Sequence, residues 1–299
     1  LPHSAAPGII GSSSLDAVMK NKNDTSSISF TAHYTGYVWH HYGLSGPAFA
    51  TTRGRVFYTL LLPFESLARC VIGSDIKTTL LQRHFLIDRE LETLIATHPD
   101  LQILEIACGL SPRGHRFTQK HRGIHYVEAD LPGMVARKQP LLASLHSLSD
   151  AHRIVRCNIL EKGSDDSLEN VIAREFDPKR PLIIITEGLV NYFDLTTISA
   201  VWQRMAAALH SFPLAGYITD VYPEVQGHRF AGVIRASNKS LRVVSRSRFT
   251  LHFSSDAEAG RHFAGLGFAS VTVLNPDHEK TAAPAAQGGA IVRVISTRL

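Results

Sequence analysis

The chain has 299 residues, 44% of them hydrophobic and 19% charged, with a formal net charge of +5. This is the balance of a soluble globular protein with room for one large domain or a domain with an appendage. No apolar run approaches the ~18 residues that cross a bilayer as a helix, and "VFYTLLLPF" (56–64) is short and ends beside a proline. Three scattered cysteines, Cys70, Cys108 and Cys157, form neither a disulfide framework nor a zinc motif. They fit a reducing, cytoplasmic compartment.

In chain order, residues 1–19 are small, polar and aperiodic and read as a disordered or appended tail, with Met19 as a native start. Residues 20–77, rich in aromatics and histidines ("TAHYTGYVWHHYGLSGPAF"), read as a helical cap or substrate lid. From residue 78 to 299 helices and strands alternate. "LLQRHFLIDRELETLIAT" has helical spacing, "ILEIA" is a buried strand, and a helix starts near Pro112. "IHYVEAD", "HRIVRCNI", "PLIIIT" and "LAGYITDV" supply four more strands with helices between them. The tail segments "ASVTVLN" and "AIVRVIST" predict an antiparallel hairpin. Such alternation predicts an α/β fold with a mostly parallel, Rossmann-like sheet of seven strands, the layout of class I methyltransferases.

In an open parallel sheet a ligand sits outside the carboxyl ends of the strands. Those ends carry Glu105, Ala107 and the Gly109 turn, then Glu128 and Asp130, then Asn158 and Ile159, then Glu187 and Gly188. Each acid taken alone reads equally as a helix cap or a solvated loop residue; their recurrence at four strand ends points to a site. A dinucleotide loop would read G-x-G-x-x-G so that a pyrophosphate can approach the backbone, whereas "ACGLSPRG" has only Gly109 and Gly114. Asp130, 21 positions after Gly109, is placed for a ribose diol. Arg83 lies on the apolar face of its helix and needs an anionic partner. That partner is either a structural acid such as Glu90 or Glu105, or a ligand carboxylate. S-adenosylmethionine, which leaves S-adenosylhomocysteine after transfer, fits the description of a ligand with a ribose, an adenine-sized ring, a carboxylate and no pyrophosphate.

"LLQRHFLID", "LEIACGLSPRG", "YVEADLPGMVARK" and "ITEGLVNYF" occur in that order across residues 78–220. They resemble the motifs of the leucine carboxyl methyltransferase family, which includes protein phosphatase methyltransferases and the carboxyl O-methyltransferases of tetracenomycin-type polyketides. The resemblance implies that Arg83 and Arg113 meet the methionyl carboxylate or order its loop. It also implies that Gly109 lines the donor, Asp130 binds the ribose, Glu187 sits near the sulfonium and amine, and Tyr192 lines the same pocket. Two positions depart from the family pattern. Ala107-Cys108-Gly109 replaces a Gly-x-Gly turn, with Ser111 at a frequent aspartate, and Asn158-Ile159 replaces an Asp-Leu pair at the adenine.

A carboxylate acceptor is already ionised at neutral pH and needs no base; a phenol or hydroxyl would use one. The candidate bases are His33, His40, His41 and Tyr222, with Trp39 and Tyr42 alongside for aromatic stacking; the same residues could simply pack the cap. No metal-ligand motif is present. The expected function is therefore S-adenosylmethionine-dependent O-methylation of a small carboxylate or aromatic hydroxyl of polyketide type. Transfer to a protein C-terminus or a tRNA-linked carboxylate, and a donor-binding protein that no longer methylates, are the alternatives. The basic run "RASNKSLRVVSRSRF" (235–249) is the only support for nucleic acid and reads first as a solvated, salt-bridging face. A membrane partner is not expected, and a homodimer is compatible with the sequence.

Overall fold

A computed structural model describes residues 26–72, 75–223, 250–279 and 291–299. Two cap helices come first, α1 (Ser26–His41) and α2 (Thr52–Ile72). The apolar run of residues 56–64 lies within α2, which continues past Pro63 to Ile72. α3 (Ile76–Thr97) starts at the N-cap Asp75, whose carboxylate accepts from Thr78 N at 2.6 Å. Asp, whose carboxylate is one methylene away from the backbone, is suited to that position.

The sheet contains β1 (Gln102–Ile106), β2 (His125–Asp130), β3 (His152–Arg156), β4 (Leu182–Thr186), β5 (Ala215–Val221), β6 (Ser270–Leu274) and β7 (Arg293–Arg298). Its order is β3-β2-β1-β4-β5-β7-β6. The first five strands run parallel, and β7 pairs antiparallel with both β5 and β6. The tail hairpin expected from the sequence is present, with its second strand inserted between β5 and the first.

β1 and β4 are buried along their whole length, as strands with helices on both faces must be. On one face Ile103, Tyr126, Ile183, Ile185 and Ile218 pack against Leu86, Ile87 and Leu91 of α3 and Phe117 of α4 (Arg113–Lys120). On the other, Leu104, Ile106, Val127 and Ile184 meet α6 (Leu168–Glu175), α7 (Leu195–Leu209) and α8 (Asp256–Gly265). α5 (Pro132–Ser144) follows β2 directly. Among the described residues no helix is long and apolar enough to cross a membrane.

α4 approaches β2 over a buried charge pair. Glu128 is fully buried, with Lys138 Nζ at 2.5 Å and His152 Nε2 at 3.0 Å. A Cβ on Gly114 would lie 2.3 Å from Glu128 Oε1 and 2.6 Å from His152 Nε2. Gly114 thus serves helix packing, where the family-like motif left its purpose open. Gly114→Ala is expected to cost about 1–3 kcal/mol through overpacking, read from the urea unfolding midpoint; an unchanged midpoint would show that the pair can move aside.

The cap rests on α3. Tyr34 donates to Glu65, and Lys77 Nζ lies 2.9 Å from the same carboxylate, joining α1, α2 and α3 through one buried acid. Trp39 stacks on His84 with ring centroids 4.2 Å apart. Ala32, Gly36 and Trp39, spaced four and three residues apart, form the α1 face toward the β1 loop and α3.

Candidate active site at the carboxyl edge

Strand register sets the site. Ile106 pairs with Ala129 and with Thr186, and Thr186 pairs with Thr219. One residue further on, Ala107, Asp130, Glu187 and Asp220 form a row along the carboxyl edge. This row crosses the β1/β4 boundary, where successive connections leave in opposite directions and a crevice opens.

The β1 turn needs two residues in left-handed backbone, Ala107 at φ +54° and Gly109 at φ +49°. Alanine there carries roughly 1–2 kcal/mol of steric strain that glycine would not. The Gly109 N–H donates to Asp130 Oδ2 at 2.8 Å, and the Leu131 N–H donates to Oδ1 at 2.7 Å. Burial raises the Asp130 pKa, opposed by those two donors. Asp130 therefore fixes the β1 turn from the end of β2.

A buried ion network lies beside this turn. Arg83 Nε donates to Glu187 Oε1 at 3.0 Å, and its Nη1 to Asp220 Oδ2 at 3.0 Å and to the Tyr222 hydroxyl at 3.1 Å. The Gly188 N–H donates to the other Asp220 oxygen at 2.6 Å. Arg83 Nη2 lies over Gly188, where a Cβ would come within 2.7 Å. Gly188 has φ +71°, so the absence of a side chain serves both the turn and the guanidinium.

Arg113 has no exposed surface. It donates to Asp88 at 2.6 Å, Glu105 at 2.6 Å and Glu187 at 2.5 Å, with His84 Nδ1 at 2.8 Å from its Nη2. Arg116 also pairs with Asp88. Burial pushes the Glu187 carboxyl up, but Arg113, His84 and Arg83 together hold it well below the usual carboxylate range. Three guanidiniums (Arg83, Arg113, Arg116) thus face four carboxylates (Asp88, Glu105, Glu187, Asp220).

Among the expected site residues, the structure gathers Arg83, Ala107, Gly109, Asp130, Glu187, Gly188 and Tyr222 at one edge. Tyr192 stands close enough to Tyr222 to influence its ionisation. Glu105, Arg113 and Glu128, expected among the cofactor-binding residues, are buried, and each is the partner of other buried charges. Asn158 uses its amide locally, accepting from Leu160 N at 3.1 Å and donating to Glu161 at 3.0 Å. Ile159 is buried beside it, and its carbonyl accepts from Arg204.

The cap histidines are dispersed. His41 packs against Tyr42 and Tyr58, on the α2 side of α1. His40 lies against Tyr37, with Nδ1 3.3 Å from the Ser45 carbonyl. His33 is buried, 2.8 Å from Thr51 Oγ1 and accepting from Arg137 at 2.9 Å. The basic run lies outside the described residues. Cys108 and Cys157 are free and buried. Among the described residues no group of His, Cys, Asp and Glu is arranged to hold a metal.

Sequence reasoning missed Asp220, His84 and Asp88. Asp220 stands at the end of "LAGYITD", so the strand-end rule applied once more would have found it. His84 and Asp88 follow Arg83 by one and five residues, and only the fold shows that they turn toward Arg113.

Buried and half-buried histidines make the fold sensitive to acid. Burial lowers the pKa values of His33, His115, His125, His252 and His262. The unfolded chain takes up protons near the ordinary histidine value of about 6.5 while the folded chain does not. Stability is therefore full above about pH 6.5 and falls as pH drops toward the folded values. Glu187, Asp88 and Glu128, held low by cations, add a second loss as pH falls through the carboxylate range. Asp130 and Asp220, raised by burial, act with the opposite sign there. Urea melts between pH 8 and 5 check the first loss; a flat profile would count against neutral buried imidazoles.

The leucine carboxyl methyltransferase family model matches residues 69–206. The tetracenomycin polyketide synthesis O-methyltransferase TcmP of Streptomyces glaucescens is 26% identical over 98 residues. That match covers 33% of this chain and 32% of TcmP, so the chain spans about a third of the curated relative's length. Among solved structures, a protein of Thermobifida fusca YX described as a candidate methyltransferase gives a TM-score of 0.59 at 15% identity, over 89% of this chain and 93% of that one. A DUF574 family protein from Streptomyces avermitilis MA-4680 gives 0.56 at 14% identity, over 90% and 96%. The strand order and these two likenesses show a Rossmann-like fold, a mostly parallel seven-stranded sheet with a C-terminal antiparallel hairpin and an N-terminal helical cap.

Proposed function

We propose that the chain is an S-adenosylmethionine-dependent O-methyltransferase whose acceptor is a small carboxylic acid of polyketide type. The observation that carries this reading is the Arg83–Gly188–Glu187 cluster at the β1/β4 crevice. It offers a guanidinium edge over a side-chain-free turn, beside a carboxylate held ionised. A zwitterionic amino-acid group fits such a cluster: its carboxylate meets Arg83 and its ammonium meets Glu187, so it pairs with both signs of charge without changing the net charge of the network. Asp130 lies across the β1 turn, where a ribose would be held. The partial matches to the leucine carboxyl methyltransferase model and to TcmP support the same donor and a carboxyl acceptor.

The bound donor would supply an electrophilic methyl on a sulfonium. The chain's own work is to hold that group, exclude water and align the acceptor oxygen, and such orientation can contribute ~7–11 kcal/mol. A carboxylate suits this site better than a hydroxyl because the candidate bases are poorly disposed. Burial raises the Tyr222 pKa, and its hydroxyl accepts from Arg83. His41 faces α2, and His40 lies against the Ser45 carbonyl. The cap helices α1 and α2 would close over the acceptor.

Calorimetric titration with S-adenosylmethionine and S-adenosylhomocysteine tests the donor. Micromolar affinity supports the reading, and no heat at millimolar ligand would overturn it. A screen of carboxylic and phenolic polyketides then tests the acceptor, with ester products expected.

A further inference from the structure

We infer that Asp220 is the positioning residue of the donor site, the one side chain that sets both halves of the amino-acid clamp; this rests on the donor reading above. Two elements distant in sequence must meet correctly for the clamp to exist: Arg83 from α3 and the Glu187-Gly188 turn after β4. Asp220, at the end of β5 and 1% exposed, joins them with one oxygen each. Oδ1 accepts from the Gly188 N–H at 2.6 Å, and Oδ2 accepts from Arg83 Nη1 at 3.0 Å.

The division of labour on the guanidinium follows from this. Nε is taken by Glu187 and Nη1 by Asp220 and Tyr222, so two of the three nitrogens are anchored to protein. The planar fork then has a single orientation, with Nη2 over Gly188. That edge is the part of Arg83 left to meet an incoming carboxylate. Without Asp220, Arg83 keeps Glu187 at Nε and the neutral Tyr222 hydroxyl at Nη1 but loses its link to the Gly188 N–H, which in turn loses the acceptor that keeps its left-handed turn in place. Asp220 touches neither the methyl group nor the acceptor in this scheme. It acts through Arg83 and Gly188.

Asp220→Asn separates the two duties. Its side-chain carbonyl still accepts from Gly188, while its amide presents N–H to Arg83 in place of a carboxylate oxygen. The probes are S-adenosylhomocysteine, which carries the amino-acid group, and 5′-methylthioadenosine, which lacks it. Asp220→Asn is expected to weaken the first by ~10- to 100-fold, the size of a lost charge-assisted hydrogen bond, and to leave the second unchanged. In a double-mutant cycle, Arg83→Lys with Asp220→Asn should bind S-adenosylhomocysteine no worse than Arg83→Lys alone.

Equal weakening toward both ligands, or additive losses in the cycle, would mean that Asp220 serves only general folding and would overturn the inference. Unchanged affinity for S-adenosylhomocysteine would also overturn it. Failure of the wild-type chain to bind either ligand instead strikes the donor reading itself. Asp220→Glu, which keeps the charge but displaces it by a methylene, carries the same comparison should the asparagine variant not fold.

Discussion

Arg113→Met is expected to destabilise the fold by about 3–5 kcal/mol, the cost of leaving buried charge without its partner. The guanidinium donates to Asp88, Glu105 and Glu187 from a position with no exposed surface. Methionine replaces most of its volume but none of its charge, so three carboxylates lose a counter-ion at once. Arg83 still reaches Glu187 and Arg116 still reaches Asp88, whereas Glu105 keeps only the Tyr126 hydroxyl at 2.7 Å. Glu105 is thus the acid that decides the magnitude. Adding Glu105→Gln should recover part of the loss, because a neutral amide tolerates burial better. Urea denaturation at pH 7.5 measures both variants. A loss under about 1 kcal/mol, the value of an exposed pair, would mean that water enters the network.

Gly188→Ala is expected to weaken binding of S-adenosylhomocysteine by about 1–3 kcal/mol, on the order of 10- to 100-fold. Two effects act in the same direction. The residue has φ +71°, where a side chain strains the backbone. Its Cβ would also lie 2.7 Å from Arg83 Nη2, 3.0 Å from Nη1 and 3.1 Å from Cζ. The guanidinium cannot easily swing clear, since Nε and Nη1 are bonded to Glu187 and Asp220. The substitution therefore blocks the space a carboxylate would enter and tilts the group meant to receive it. Gly133→Ala, which meets nothing within 4 Å, is the control and should bind as the wild type does. Equal affinities for all three proteins would place the ligand elsewhere.

The fold was largely legible because its signals are local. Apolar runs bounded by turns give the strands, helical spacing gives α3 and α7, and regular alternation gives the parallel order. The carboxyl-edge row was legible for a related reason: parallel strands bring their ends to one side, so Asp130 and Glu187 can be placed together without knowing their distance. The direction of each side chain within that edge was not legible. Glu105 and Arg113 lie in the same motif as Gly109, yet they point under the sheet edge, where neighbouring charges already claim them. Asp88 and His84 were hidden because their partners come from α4 and β4, far along the chain. The departure at Ala107 reads differently once the backbone is known. The turn keeps its left-handed shape and bears the strain of an alanine.

The strand order has one more consequence, for synthesis on the ribosome. β6 (Ser270–Leu274) is made before β7 (Arg293–Arg298), yet β7 is its neighbour in the sheet. Until Val294 and Ile295 emerge, "SVTVL" has no strand beside it, while β5 waits with one side unpaired. An uncharged β-branched segment in that condition invites pairing with another nascent chain. The arrival of β7 therefore pairs β5 and the inner side of β6 in a single step.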